Sequence, residues 1–334
     1  MNNRDLIKNT LSHIQCEKIP FNIFFTPSAL EKAEKYYGSP LDEVLNFPLR
    51  IGGLNSFKPT FAAPTEYGKY TRDEFGVLWS TGFDDRGIPI GPCIIEPDIK
   101  KYIFPDPKSP YRYKDIESWL KNKNDSYRLI TVGDLWERAT FMRGFEDILM
   151  DLYLNPKFVY ELMQGIMDYN LATMEFLSRN FNIDGIVLSD DYGTQKAMIV
   201  SPETWRKFIK IYLFQILKQA KKYGWIIFLH SCGYIEPIIK DLIEMEVDIL
   251  HPIQPETMDI FKLKRNYGSD ITFCGGLSTQ RLLPYGKPHE IKENVKILKE
   301  VMGKNGGYIL DTGIQIIPDV PIENIVALID EVKN

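Results

Sequence analysis

From residue 127 onward the chain alternates between two kinds of segment. Short apolar runs of branched residues, too short for helices, are each followed by a longer amphipathic stretch. The runs fall at 128–132, 185–188, 225–229, 248–250, 271–273 and 308–310. The longer stretches predict helices over 135–154, 157–180, 201 to just before Gly224, 236–245, 259–267, 288–301 and 321–332. Ser201-Pro202-Glu203 opens one of them with a capping hydroxyl, a proline at the first helical position and an acid in the first turn. Repeated β–α units specify a parallel sheet, because each strand must return to the same end before the next begins. Six strands are countable here, and the N-terminal half can supply two more. The predicted fold is α/β, a single (β/α)₈ TIM-type barrel over 1–334; an open doubly wound sheet is the alternative. No G-x-G-x-x-G or P-loop follows any strand, which weighs against a nucleotide-binding version.

The N-terminal half is less regular. A short helix is expected over 4–14 and an apolar strand over 19–25. The stretch 41–125 is rich in Pro, Gly and aromatics and reads as a loop-rich elaboration of the barrel, with a strand at 72–79 and a loop at 104–107. The length of 334 residues alone would suggest two domains. No linker-like composition separates them, so one elaborated domain is expected.

With 44% hydrophobic and 25% charged residues, the composition is that of a globular protein and excludes disorder. Forty Lys and Arg against 45 Asp and Glu leave a net charge of −5, which gives nucleic acid no electrostatic footprint. No apolar run approaches a membrane span, and Met1-Asn2-Asn3-Arg4-Asp5 lacks the apolar core of a secretory signal. Four scattered cysteines do not form a disulfide framework, so a reduced, cytoplasmic protein is expected.

In a barrel, functional residues collect at the C-terminal ends of strands. That rule selects Ser189-Asp190-Asp191-Tyr192-Gly193, His230-Ser231-Cys232-Gly233, His251-Pro252-Ile253-Gln254-Pro255, Cys274-Gly275-Gly276 and Asp311-Thr312-Gly313. His230-x-Cys232 is the sharpest signal. An imidazole and a thiolate two residues apart on extended chain can face one metal, and N/S ligands suit zinc. Chance or packing is the alternative. Cys274 is either a further ligand or a small buried hydrophobe. Asp190 and Asp191 are either a coupled carboxylate pair or one capping acid beside one solvated acid. His251 reads as a strand cap; Glu137 and Arg138 follow a strand end, where either could reach the mouth, with a helix-surface ion pair the expected reading.

Taken together, several stretches resemble the uroporphyrinogen decarboxylase (URO-D) superfamily. They are Gly185 to Gln195, Ser201-Pro202-Glu203, Leu229 to Gly233, Asp248 to Glu256, Phe273 to Gln280, Gly306 to Leu310 and Ile317 to Asn324, with weaker likeness at Arg72 to Trp79 and Glu137 to Gly144. The resemblance implies a distorted barrel with its site at the C-terminal mouth. True decarboxylases of this superfamily hold their polycarboxylate substrate with an Arg-Gln-Ala-Gly-Arg-Tyr motif. Pro48-Leu49-Arg50 and Tyr70-Thr71-Arg72 do not match it, which leaves a polyanion without its receptor. The cobalamin-linked methyltransferases of the superfamily carry zinc on H-x-C plus a distant Cys. His230 and Cys232 match the first two ligands; Ile314 stands where the third would be, so either Cys274 or an acid substitutes for it or the metal role is lost.

The resemblance thus implies methyl transfer between a small methylated donor or thiol acceptor and a corrinoid on a partner protein, with zinc as Lewis acid. His230, Cys232 and Cys274 are the expected metal ligands. Asp190, Asp191 and Tyr192 are the expected catalytic residues, and Gln254, Gly275 and Gly276 the expected substrate contacts. A homodimer is also expected. The alternatives are tetrapyrrole decarboxylation and a catalytically silent barrel that binds a ligand or a corrinoid protein.

Overall fold

A computed structural model describes residues 1–55, 62–84, 87–121 and 125–333. Parts of the 41–125 elaboration therefore lie outside the described residues. The strands, in chain order, are β1 (Phe21–Asn22), β2 (Leu49–Gly53), β3 (Tyr70–Arg72), β4 (Leu78–Ser80), β5 (Pro89–Gly91), β6 (Tyr127–Gly133), β7 (Gly185–Ser189), β8 (Ile226–His230), β9 (Ile249–Ile253), β10 (Thr272–Gly276) and β11 (Tyr308–Asp311). Eight of them form one parallel sheet in the order β1-β11-β10-β9-β8-β7-β6-β2. β1 and β2, at its two edges, lie side by side, so the sheet curls into a nearly closed (β/α)₈ barrel. Among the described residues no helix is long and apolar enough to cross a membrane.

The period-2 geometry of strands explains where the polar residues end up. Inside the barrel Leu49, Tyr127, Leu129, Val187, Phe228, Ile249, Cys274 and Ile309 form one buried cluster, with Ile7 of the helix Asn3–Leu11 packed into it. Ser189, His230, His251 and Asp311 each lie two residues beyond a member of that cluster. They therefore point into the same interior, one layer nearer the mouth. The intervening strand residues face outward into a second core shared with the helices.

Three expectations from sequence need correction. The strand expected at 72–79 is a hairpin, β3 and β4, because Asp73 turns the chain: its Oδ1 accepts the amides of Phe75 (2.9 Å) and Val77 (3.0 Å). β5 adds a third antiparallel strand to that hairpin. The helix expected at 135–154 breaks at Gly144 into Trp136–Arg143 and Phe145–Leu154. Only Phe21–Asn22 of the strand expected at 19–25 pairs continuously with β11. The Ser201 cap is as expected, with its side chain accepting from the Thr204 amide at 3.1 Å.

Candidate metal centre and adjoining cavity

The loop after β8 carries the centre. Asp191, His230 and Cys232 bring a carboxylate oxygen, an imidazole nitrogen and a sulfur together, all within 4.8 Å of one another. Cys232 Sγ lies 3.5 Å from His230 Nε2, and Asp191 Oδ1 lies 3.6 Å from the same nitrogen. Tetrahedral zinc with ordinary bond lengths separates N and S ligands by about 3.6 Å, and N and O ligands by about 3.4 Å. The two distances to His230 Nε2 are therefore ones that a zinc ion would accept. His230 and Asp191 side chains are 22% and 33% exposed, so the group faces the mouth.

The backbone around these residues is held from both sides. Asp191 Oδ1 also accepts the Cys232 amide at 2.8 Å, and Gln254 Oε1 accepts the Gly233 amide at 2.7 Å. Ser231 donates its amide to the His251 carbonyl (2.7 Å), while its hydroxyl accepts from the Tyr192 amide (3.0 Å). Gly233 has φ +83°, and a Cβ there would sit 2.4 Å from the Gly193 carbonyl carbon. Glycine is thus required for the two loops to pass so closely.

The neighbouring acids separate completely. Asp190 is fully buried and accepts the amides of Leu135 (3.0 Å), Trp136 (3.0 Å) and Glu137 (2.8 Å), with the Tyr192 hydroxyl donating at 2.8 Å. It satisfies the start of the helix Trp136–Arg143. Burial pushes its carboxyl up to about 7, against the pull of the amide donors toward the charged form. Tyr192 is buried against Trp205, its hydroxyl pushed well above its ordinary value by burial and by Asp190. Asp190 does not cap the turn that follows it, since the amides it accepts open the helix Trp136–Arg143. Asp190 and Tyr192 are both buried, while Asp191, one-third exposed, accepts the Cys232 amide and stands with His230 and Cys232.

Cys274 is also corrected. It is fully buried and belongs to a separate group with His251 and Asp311, its Sγ 3.5 Å from Asp311 Oδ2. Burial, together with the Asp311 charge, pushes its thiol well above the ordinary value, so it stays protonated. As an interior residue of β10 it stands with that buried group, whereas Asp191 stands with His230 and Cys232. Ile314 is half-exposed in the loop after β11. Gly275 and Gly276 lie in the barrel wall with φ +129° and +98°, where Cβ atoms would meet the Ile253 amide nitrogen at 2.7 Å and the Tyr308 hydroxyl at 3.1 Å. Packing accounts for them, as positioning of Gly233 accounts for Gln254.

Beside the centre is a cavity of about 370 Å³ at the ends of β2, β6 and β7. Ser189, on its rim, stands in register with His230, so cavity and centre are neighbouring sectors of one mouth. Phe75, Trp79, Phe141 and Tyr169 line it, with Asp73, Glu74, Asp134, Glu137, Arg112 and Arg138. Glu137 and Arg138 are thus cavity residues and not a helix-surface pair. Arg138 bonds Asp73 (2.8 Å) and Asp134 (3.0 Å); Arg112 pairs with Glu74 and the Tyr169 hydroxyl. Burial alone would lower the Arg138 pKa, but Asp134 and Asp73 hold it above its ordinary value. No motif or spacing singles out Arg112. His251 and Asp311 were flagged by their strand-end positions, but not their contact with His230.

The family model described as uroporphyrinogen decarboxylase (URO-D) matches residues 84–334. The chain belongs to the URO-D family. Among curated relatives, a uroporphyrinogen decarboxylase of Christiangramia forsetii is 24% identical over 261 residues, covering 73% of this chain and 72% of that protein. Another, from a Nitratiruptor species, is 27% identical over 247 residues, covering 70% and 68%. Among solved structures, a methyltransferase from Methanosarcina mazei superposes with a TM-score of 0.74 at 16% identity, covering 100% of this chain and 98% of that one. At that identity the likeness establishes the shared barrel of this URO-D family member.

Proposed function

We propose that this URO-D family protein is a methyltransferase that moves a methyl group between a small donor or thiol acceptor and a corrinoid carried on a partner protein. Zinc would be held by Asp191, His230 and Cys232. The observation that carries this reading is the convergence of N, S and O ligand atoms within 4.8 Å of one another on the mouth side of the barrel, with the S and O atoms 3.5 and 3.6 Å from His230 Nε2. Bound there, zinc supplies Lewis acidity, which lowers the pKa of a coordinated thiol and keeps it nucleophilic at neutral pH.

The chain's own residues do the rest. Gln254 and Asp191 fix the backbone amides of the His-x-Cys-Gly loop, so the ligands need no reordering before they act. Phe75, Trp79, Phe141 and Tyr169 give the adjoining cavity aromatic surface against which a small methylated molecule can pack.

The curated relatives favour a second reading, decarboxylation of a tetrapyrrole. Against it, the two cations lining the cavity among the described residues, Arg112 and Arg138, already serve protein carboxylates. A polycarboxylate would have to break those pairs. The test has two arms. Purified protein is supplied with methylated donors or thiols and corrinoid proteins, and separately with uroporphyrinogen in the presence of chelator. Multiple methyl-transfer turnovers, lost in Cys232→Ser, support the proposal. Metal-independent turnover of uroporphyrinogen overturns it, and silence in both arms favours a ligand- or corrinoid-protein-binding barrel.

A further inference from the structure

Below the proposed metal centre the barrel interior contains a chain of polar contacts that the proposed reaction does not use. His230 Nδ1 lies 2.8 Å from His251 Nδ1. His251 is 4% exposed; its other nitrogen, Nε2, is buried without a hydrogen bond, and Asp311 Oδ2 faces it at 3.4 Å. Asp311 is fully buried; its Oδ1 accepts the Gly313 amide at 2.8 Å and its Oδ2 the Asn22 amide group at 2.6 Å. The series runs from a fixed carboxylate, through two imidazoles, to the ligand group at the mouth.

We propose that His251 and Asp311 are positioning residues that set the tautomer of His230, placing its proton on Nδ1 and leaving Nε2 free to bind metal. A contact of 2.8 Å between two ring nitrogens holds one proton, since two lone pairs repel and two protons collide. Two arrangements satisfy that rule. In the first, His251 carries its hydrogen on Nε2, toward Asp311, and accepts from His230 at Nδ1. His230 Nε2 then presents a lone pair toward Cys232 and Asp191. In the second, His251 Nε2 presents a lone pair to a carboxylate that has only lone pairs to offer, and His230 turns an N–H toward its ligand partners. Asp191, 3.6 Å from His230 Nε2, pulls toward the second arrangement, but it is one-third exposed and its Oδ1 already accepts the Cys232 amide; the charge of the fully buried Asp311 is less screened and selects the first.

The same proton disqualifies the buried His251, Cys274 and Asp311 group as a metal site in its own right. A metal on His251 Nε2 would force the second arrangement and disable His230. In addition, Cys274 keeps its proton, and Asp311 Oδ2 is already bonded to Asn22.

The metal-affinity arm of the test rests on the zinc reading above; the tautomer arm does not. The chain has four histidines, so the imidazole ¹⁵N spectrum of the metal-free, full-length protein is sparse. His230 is expected protonated at Nδ1 and His251 at Nε2; His230 protonated at Nε2 overturns the proposal. For affinity, zinc is titrated against a chromophoric chelator. His251→Phe should bind zinc about 10–100-fold more weakly than the wild type. His251→Asn, whose amide oxygen can take the place of Nδ1 as acceptor, should recover most of that loss. Equal affinity in all three proteins, or equal loss in both variants, overturns the positioning role. If the wild type binds no zinc, the metal reading fails, while the tautomer spectrum still decides this one.

Discussion

The adjacent aspartates give a sharp test, because the structure assigns opposite consequences to losing each. Asp190→Ala removes the acceptor for the amides of Leu135, Trp136 and Glu137 and for the Tyr192 hydroxyl. Loss of a helix cap costs about 0.5–2 kcal/mol. Each buried donor left without a partner costs about 1–3 kcal/mol more. If water entering the vacated space serves half of the four donors, the total is about 2.5–8 kcal/mol, a large share of the roughly 5–15 kcal/mol that holds a native protein together. Asp191→Ala removes an acceptor for one amide at a site one-third exposed, where water can substitute; its cost should be about 1 kcal/mol or less. Urea unfolding gives both numbers from midpoint shifts at unchanged slope, and chelator competition gives zinc affinity. Asp190→Ala should be strongly destabilised, whereas Asp191→Ala should fold normally and lose zinc. An Asp190→Ala protein as stable as the wild type but devoid of methyl transfer would refute the division of roles and return Asp190 to the chemistry.

Further outcomes follow from the same contacts. Because burial raises the Asp190 carboxyl to about 7 in the folded protein, the folded state keeps a proton that the unfolded chain loses near pH 4. Its stabilising contribution is therefore fully present below about pH 4 and is lost as pH rises toward 7. The stability gap between wild type and Asp190→Ala should narrow over that window, and a gap that widens contradicts the shift. Arg138→Met leaves Asp73 and Asp134 buried without their cation and should cost about 3–5 kcal/mol in urea unfolding, part of it recovered by adding Asp73→Asn. Gly233→Ala forces a side chain into a left-handed backbone and against Gly193; it should destabilise by about 1–3 kcal/mol and weaken zinc binding, read by calorimetry and chelator competition.

The barrel was legible because its strands after residue 127 are short, branched and bounded by helices whose caps obey local rules, as at Ser201. His230 and Cys232 were legible for the same reason: a two-residue spacing on extended chain, at the end of β8, leaves little freedom. The third ligand was not. Asp190 and Asp191 are indistinguishable as letters, and only the turn after β7 decides that one enters the protein while the other faces the mouth. Cys274 misled because being at a strand end does not say which layer of the interior a side chain occupies. The cavity was hidden most deeply. Asp73 and Arg112 lie far from Arg138 in sequence, and their meeting depends on the Asp73 turn, whose hydrogen bonds break the expected strand into a hairpin.

The central claim is that Asp191, His230 and Cys232 together hold one zinc ion. Elemental analysis of protein purified without chelator, wild type beside Cys232→Ser and Asp191→Ala, tests it directly. About one equivalent in the wild type and less than about a tenth in Cys232→Ser, with Asp191→Ala between or equally low, is the expected result. A metal-free wild type, or zinc that remains undiminished when Cys232 is replaced, would contradict it.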